Sequence, residues 1–120
     1  MNEARMTNKN FEEGERLDLF LEKTNEELKD LAPKERLEWG VRKFGSQFAL
    51  TTSFGIQSSV LLHMIKSIQI NNAEPKIIWV DTGYLPKETY QYAEQLINQF
   101  QLEVIVAQSN ISPARMEAIE

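Results

Sequence analysis

A run of small polar residues, Thr51, Thr52, Ser53, Phe54, Gly55, Ile56, Gln57, Ser58 and Ser59, stands between an apolar stretch and an amphipathic one, and it limits the fold more than any other feature of the chain. Residues 47–50 read as a short apolar strand leading into it. Val60, Leu61, Met64, Ile65 and Ile68 then recur at helical spacing. Glu74 and Pro75 break that helix, and Lys76, Ile77, Ile78, Trp79 and Val80 follow as a nearly unbroken apolar run, the pattern of a strand buried on both faces. Strand, loop, helix and strand in this order make a βαβ unit, expected to be right-handed.

A strand-to-helix loop of this composition aims several N–H groups and hydroxyls at one spot. The first four N–H groups of a helix lack internal partners, and the aligned peptide dipoles add about half a positive charge there. An anion such as phosphate or sulfate suits the place. Gly55 lets backbone approach it, while Ser58 and Ser59 supply hydroxyls and N–H groups at the helix start. After the next strand, Asp81, Thr82, Gly83 and Tyr84 form a second loop punctuated by Gly83 and Pro86, in which Asp81 or nearby backbone groups are placed to accept hydrogen bonds from a ribose or base. Standing alone, the first loop reads equally as a helix cap and the second as an ordinary turn. Ligands of open parallel sheets sit beyond the carboxyl ends of the strands, and two loops at that edge can hold the two ends of a nucleotide.

The rest of the chain fits around this unit. Residues 1–10 are polar, without periodicity, and expected to be frayed. Phe11, Leu17, Phe20 and Leu21 mark a short helix. Thr24 and Glu27 have the spacing of a capping box that would start a second one, with Leu28 and Leu31 behind it. Pro33 opens a third, with Leu37, Val41 and Phe44 as its apolar stripe and Gly45 as its stop. The charges on this segment, Lys34, Glu35, Arg36, Arg42 and Lys43, read as a solvated face. Residues 86–100 form a further helix with Tyr90, Ala93, Leu96, Ile97 and Phe100 on its buried side, residues 102–107 a third strand, and Ser112-Pro113 the start of another helix. The division is an N-terminal helical segment, 1–45, and an α/β domain, 46–120, with an open parallel sheet and helices on both faces. Three strands and a helix just begun look like a domain cut short at its C-terminus.

A chain of 120 residues can bury roughly two thirds of its unfolded surface, so one real core is expected. Its net charge of −5 argues against broad nucleic-acid binding, which needs a basic surface. No apolar run approaches the roughly 20 residues of a membrane span. Without cysteine the chain has no disulfides, no thiolate metal site and no thiol chemistry of its own. The only histidine, His63, lies within a helix without ligand partners at metal-binding spacing and reads as packing, as do Trp39 and Trp79.

The string from Thr51 to His63 resembles the modified PP-loop of the phosphoadenosine phosphosulfate (PAPS) reductases. The string from Asp81 to Tyr90 resembles that family's second signature, and Ser112 to Ala118 a third segment, in matching order and spacing over roughly residues 30 to 120. The resemblance implies an adenine nucleotide alpha hydrolase-like fold and a cytoplasmic step of sulfate assimilation and cysteine biosynthesis. It implies that Thr52, Ser53, Phe54, Gly55, Ile56, Gln57, Ser58 and Ser59 bind the phosphosulfate end, and that Asp81, Thr82, Gly83 and Tyr84 border the adenosine. In that family a cysteine of a mobile C-terminal tail attacks the sulfur of PAPS and releases adenosine 3′,5′-bisphosphate. Thioredoxin or glutaredoxin then liberates sulfite, and members are commonly homodimers. The tail cysteine has no counterpart here, so the chain is expected to bind nucleotide without reducing PAPS, as the nucleotide-binding half of a reductase. No metal and no iron–sulfur cluster is expected.

Two enzyme alternatives and one non-enzyme remain at this stage. ATP-dependent PP-loop enzymes carry Ser-Gly-Gly-x-Asp-Ser, where this chain has Phe54 for the first Gly and Gln57 for the Asp. Adenosine phosphosulfate reductases lack the 3′-phosphate preference, and many hold an iron–sulfur cluster through cysteines. A non-catalytic adenine-nucleotide-binding module is the third.

Overall fold

The computed structural model describes residues 2–68 and 74–120, with side chains described from Lys9 onward. Two compact units divide it, residues 1–36 and 37–120.

In the first unit, α1 (Asn2–Lys29) runs unbroken through the stretch where two short helices are expected. Thr24 is therefore an interior residue and caps nothing. A capping box needs the chain to leave helical geometry just before it, and residues 15–23 contain neither Gly nor Pro to force that. Gly14 alone costs about 1 kcal/mol relative to Ala, too little to end a helix. Helical geometry also begins at Asn2 rather than fraying to residue 10; Met1 lies outside the described residues. The turn after α1 is laced by charges that the sequence assigns only to solvent. Arg36 donates from Nε to the Leu28 carbonyl at 2.9 Å and from Nη2 to the Lys29 carbonyl at 2.8 Å, satisfying two C-terminal acceptors. Glu35 accepts from the Ala32 N–H at 2.9 Å, one half of a capping box at the start of α2 (Pro33–Phe44).

The second unit is the α/β layer. Gly45, at φ +52°, ends α2 and opens a 3₁₀ turn, Gly45–Gln47, that consumes the expected start of the first strand. β1 is Ala49–Thr52, two residues later than the apolar pattern indicates, so it carries Thr51 and Thr52 of the polar run. Then follow α3 (Ser58–Lys66), β2 (Lys76–Asp81), α4 (Lys87–Phe100), β3 (Val104–Gln108) and α5 (Pro113–Ile119). The sheet order is β1-β2-β3, all parallel, with Thr52 beside Trp79 beside Val106, and Asp81 beside Gln108. β3 starts later than expected because Gln101 takes a left-handed φ of 53° to end α4. The Leu102 N–H returns to the Ile97 carbonyl at 3.0 Å, a Schellman closure made with Gln where Gly is usual.

Alternation along the strands sends Ile77, Trp79 and Asp81 to one face, and α3 and α4 pack there together. Leu62 and Ile65 of α3, Ala93 and Leu96 of α4, and Val41 and Leu102 complete that core. Leu62, Ile65 and Val41, the largest fully buried side chains, each contribute about 1.5–3 kcal/mol. On the opposite face β2 is less covered than its apolar run suggests: Val80 is 60% exposed. α5 turns toward that side, its Met116 sharing a cleft with Val80 and Ala107. Helices thus depart to both sides of the sheet, and the loops that carry them leave from its carboxyl edge.

Candidate nucleotide site

The first loop begins where β1 stops pairing. Thr52 Oγ1 accepts from the Phe54 N–H at 3.1 Å, a side-chain turn that reverses the chain immediately after the strand. Phe54 takes φ +52°, uncommon for a residue with a side chain, and its ring is buried against Trp79. The aromatic wedge holds the loop down on β2. Ile56 is at the exposed tip, where its carbonyl accepts from the Tyr92 hydroxyl at 3.5 Å. Gln57 leads into α3 without capping it by its side chain.

The Ser58 N–H bonds the Gly55 carbonyl at 2.9 Å and the Val60 N–H the Gln57 carbonyl at 3.3 Å. Among the described residues, the N–H groups of Gly55, Ile56 and Gln57 have no acceptor. Space in front of Gly55 is flanked by two hydroxyls: a β-carbon built there would lie 3.7 Å from Ser53 Oγ and 4.0 Å from Ser58 Oγ. Neither distance is a clash. Glycine therefore leaves the backbone here bare between two hydroxyls, and relieves no steric clash. Ser53 is exposed, and Ser58 and Ser59 are half-buried at the first turn of α3.

The second loop is held more firmly. Asp81, 9% exposed at the end of β2, accepts at Oδ1 from the Gly83 N–H at 2.8 Å and from the Tyr90 hydroxyl at 2.6 Å, and at Oδ2 from Gln108 Nε2 at 3.1 Å. Those bonds hold its carboxyl below the ordinary carboxylate range. Tyr90 contributes the largest effect, Gly83 the next, and desolvation opposes them. Thr82 Oγ1 takes the Tyr84 N–H at 3.2 Å. Tyr84 in turn donates its hydroxyl to the Pro113 carbonyl at 2.9 Å, tying the loop to the start of α5. Partial burial, with Glu117 nearby, raises the Tyr84 phenol above its usual value. Gly83 needs its missing side chain here, because it stands at φ +78° and a β-carbon would come within 2.5 Å of Pro113 Cγ.

Both loops leave the carboxyl ends of neighbouring strands. Asp81, Thr82 and Gly83 line a cavity of about 310 Å³ with residues 108–113. A cleft of about 420 Å³ shares Asp81, Thr82 and Gln108 with that cavity and is lined also by Val80, Tyr84 and Met116. The residues from Ser53 to Ser58 line neither one. Sequence reasoning missed the loop after β3: Gln108, Ser109 and Asn110 wall the second site, yet nothing in their spacing singles them out. It also assigned Tyr90 only to packing. The signal available was an aspartate at a strand end followed, one turn into the next helix, by a tyrosine. Ser112 behaves as read, capping α5 by accepting from the Arg115 N–H at 3.2 Å. His63 packs its ring on Phe100, with centroids 5.7 Å apart.

A parallel sheet with a hydroxyl-flanked helix start after one strand and a braced, glycine-bearing loop after the next defines the class of α/β proteins with ligand loops at the carboxyl edge. Within that class the chain belongs to the phosphoadenosine phosphosulfate reductase domain family, which it matches over residues 47–120. It is 46% identical over 99 residues to the phosphoadenosine 5′-phosphosulfate reductase of Synechococcus sp., covering 82% of this chain and 41% of that protein. To the protein of the same name from Synechocystis sp. it is 47% identical over 93 residues, covering 78% and 36%. The crystal structure of phosphoadenylyl-sulfate (PAPS) reductase from Candida auris, a phosphate complex, shares the fold with a TM-score of 0.70 at 24% identity, over 82% of this chain and 47% of that one. The chain thus spans about two fifths of the length of these curated relatives. Among the described residues, no helix is long and apolar enough to cross a membrane.

Proposed function

We propose that this chain supplies the nucleotide-binding part of a thioredoxin-dependent PAPS reductase acting in cytoplasmic sulfate assimilation. The observation that carries this reading is the group of donors at the start of α3, where the Ser53 and Ser58 hydroxyls flank Gly55 and the N–H groups of Gly55, Ile56 and Gln57 have no acceptor among the described residues. It suits the 5′-phosphosulfate group, and the Candida auris relative of the same fold was solved with phosphate. Thr52 to Ser59 hold the phosphosulfate, and the loop from Asp81 to Tyr84 borders the adenosine.

In the proposed reaction a cysteine thiolate attacks the sulfur of PAPS, an S–S bond forms, and the bond from sulfur to the bridging oxygen breaks. Adenosine 3′,5′-bisphosphate leaves with the electron pair, and one dithiol of thioredoxin then attacks the cysteine sulfur of the S-sulfocysteine, so that the S–S bond breaks, sulfite leaves, and the thioredoxin disulfide forms as the enzyme thiol is restored. Charge builds on the 5′-phosphate as that bond breaks, so N–H groups and hydroxyls already aimed at it lower the barrier. The 120 residues contain no cysteine, so the thiolate comes from outside them. Homodimerisation of the complete enzyme belongs to the same proposal.

Calorimetry with PAPS, paired with an assay of sulfite release in the presence of thioredoxin and dithiothreitol, tests it. Binding without turnover is expected. A folded chain that does not bind PAPS, or one that releases sulfite unaided, contradicts this reading.

A further inference from the structure

Asp81 is the buried carboxylate at the centre of the second loop, and its sequence position invites a role as acceptor for a ribose hydroxyl. The structure gives its oxygens to the protein. Three donors reach it from three places: Tyr90 on α4, Gly83 in the loop itself, and Gln108 at the end of β3. A carboxylate has roughly four acceptor sites, so little capacity is left for a ligand. The group that Asp81 holds, the Gly83 amide, sits at the left-handed residue packed on Pro113, and the next residue, Tyr84, bonds the Pro113 carbonyl. Thr82 and Tyr84 remain exposed beside the clefts.

We propose that Asp81 is a positioning residue, and that the Asp81–Tyr90–Gln108 clasp sets the Thr82–Tyr84 loop against α5 so that the loop, and not the carboxylate, meets the nucleotide. The inference rests on reading this edge as a nucleotide site. Tyr90 has a second anchor, since its ring packs on Trp79 with centroids 5.8 Å apart. Removing its hydroxyl therefore leaves the ring packing in place, and the loss of one bond to a charged acceptor can be read without unfolding the chain.

The experiment has a ligand-free arm and a ligand arm. In the first, hydrogen exchange of the Gly83 amide is followed in the wild-type chain, Tyr90→Phe and Asp81→Asn. The clasp predicts faster exchange by about tenfold in Tyr90→Phe, the worth of one such bond, with unchanged helix content. Unchanged Gly83 exchange overturns the proposal even if the chain binds no nucleotide. In the second arm, wild type and Asp81→Asn are titrated with adenosine 3′,5′-bisphosphate and with its 2′-deoxy analogue. A positioning role predicts that Asp81→Asn weakens both ligands by the same factor. A loss confined to the ribonucleotide assigns Asp81 to the 2′-hydroxyl and overturns the proposal. Failure of the wild type to bind either ligand counts against the function proposed above, while the exchange arm still decides the clasp.

Discussion

Phe54 stands edge-on to Trp79, with ring centroids 4.9 Å apart and planes at 78°, although its backbone φ is +52°. The two facts oppose one another energetically. Left-handed geometry costs a residue with a β-carbon about 1–2 kcal/mol, and a buried aromatic side chain returns more than that. The loop therefore trades local backbone comfort for an anchor on β2. Phe54→Ala is expected to destabilise the chain by about 3–5 kcal/mol in urea denaturation, because it loses the anchor and keeps the strain. Phe54→Gly loses the anchor and relieves the strain, and is expected to be about 1 kcal/mol less destabilised than Phe54→Ala. The reverse order would show that the backbone is not strained there.

Gly83 and Pro113 form the joint between the second loop and α5. Gly83→Ala places a β-carbon 2.5 Å from Pro113 Cγ, at φ +78°, and is expected to cost about 1–3 kcal/mol. Pro113→Ala removes that Cγ, and its Cβ lies at an ordinary 3.9 Å. The pair should couple: the double variant should be more stable than the sum of the single losses predicts by at least about 0.5 kcal/mol. Additivity would mean the contact is not made.

Much of the fold was legible because its signals are local. An apolar run after Pro75, helical spacing from Val60 to Ile65, and Ser112-Pro113 each specify an element through nearby residues. The misplacements share a cause. β1 lies late because Gly45 starts a turn that the apolar pattern does not register, and β3 lies late because Leu102 is taken up in the Schellman closure of α4, which itself ends at Phe100 as the pattern indicates. The single helix α1 looked like two because Thr24 and Glu27 are one turn apart whether or not the helix begins there. At the site, the hydroxyls around Gly55 were readable from composition. The partners of Asp81 were harder to read: Gln108, 27 residues away, meets it only through the parallel register, and Tyr90, 9 residues away in the first turn of α4, carries the same apolar spacing as the packing residues of that helix.

The clasp titrates at both ends. Asp81 has its native pKa lowered, so its contribution to stability is fully present above the ordinary carboxylate range and is lost as pH falls through the lowered value. Tyr90 runs the other way. Its hydrogen bond to Asp81, and then burial, raise the phenol, so its contribution is present below the ordinary phenol range and is lost as pH rises through the raised value. The urea midpoint difference between wild type and Asp81→Asn should therefore be flat from about pH 5 to about pH 9 and shrink on either side. A difference that persists unchanged to pH 2 would contradict the assignment.

In Gly55→Val the β-carbon stands at ordinary contact distance, 3.7 Å from Ser53 Oγ and 4.0 Å from Ser58 Oγ, and the two γ-methyls add apolar bulk among these donors. It is expected to abolish nucleotide binding in calorimetry while circular dichroism shows little loss of helix. Unchanged affinity would remove the first loop from the site.

The measurement nearest the centre of the account is a calorimetric titration of the folded chain with adenosine 3′,5′-bisphosphate, adenosine 5′-monophosphate and magnesium ATP. Preference for the bisphosphate is the predicted result, because Phe54 and Gln57 replace the residues with which ATP-dependent PP-loops begin. Preference for magnesium ATP, or no binding of any of the three by a chain shown to be folded, would contradict it.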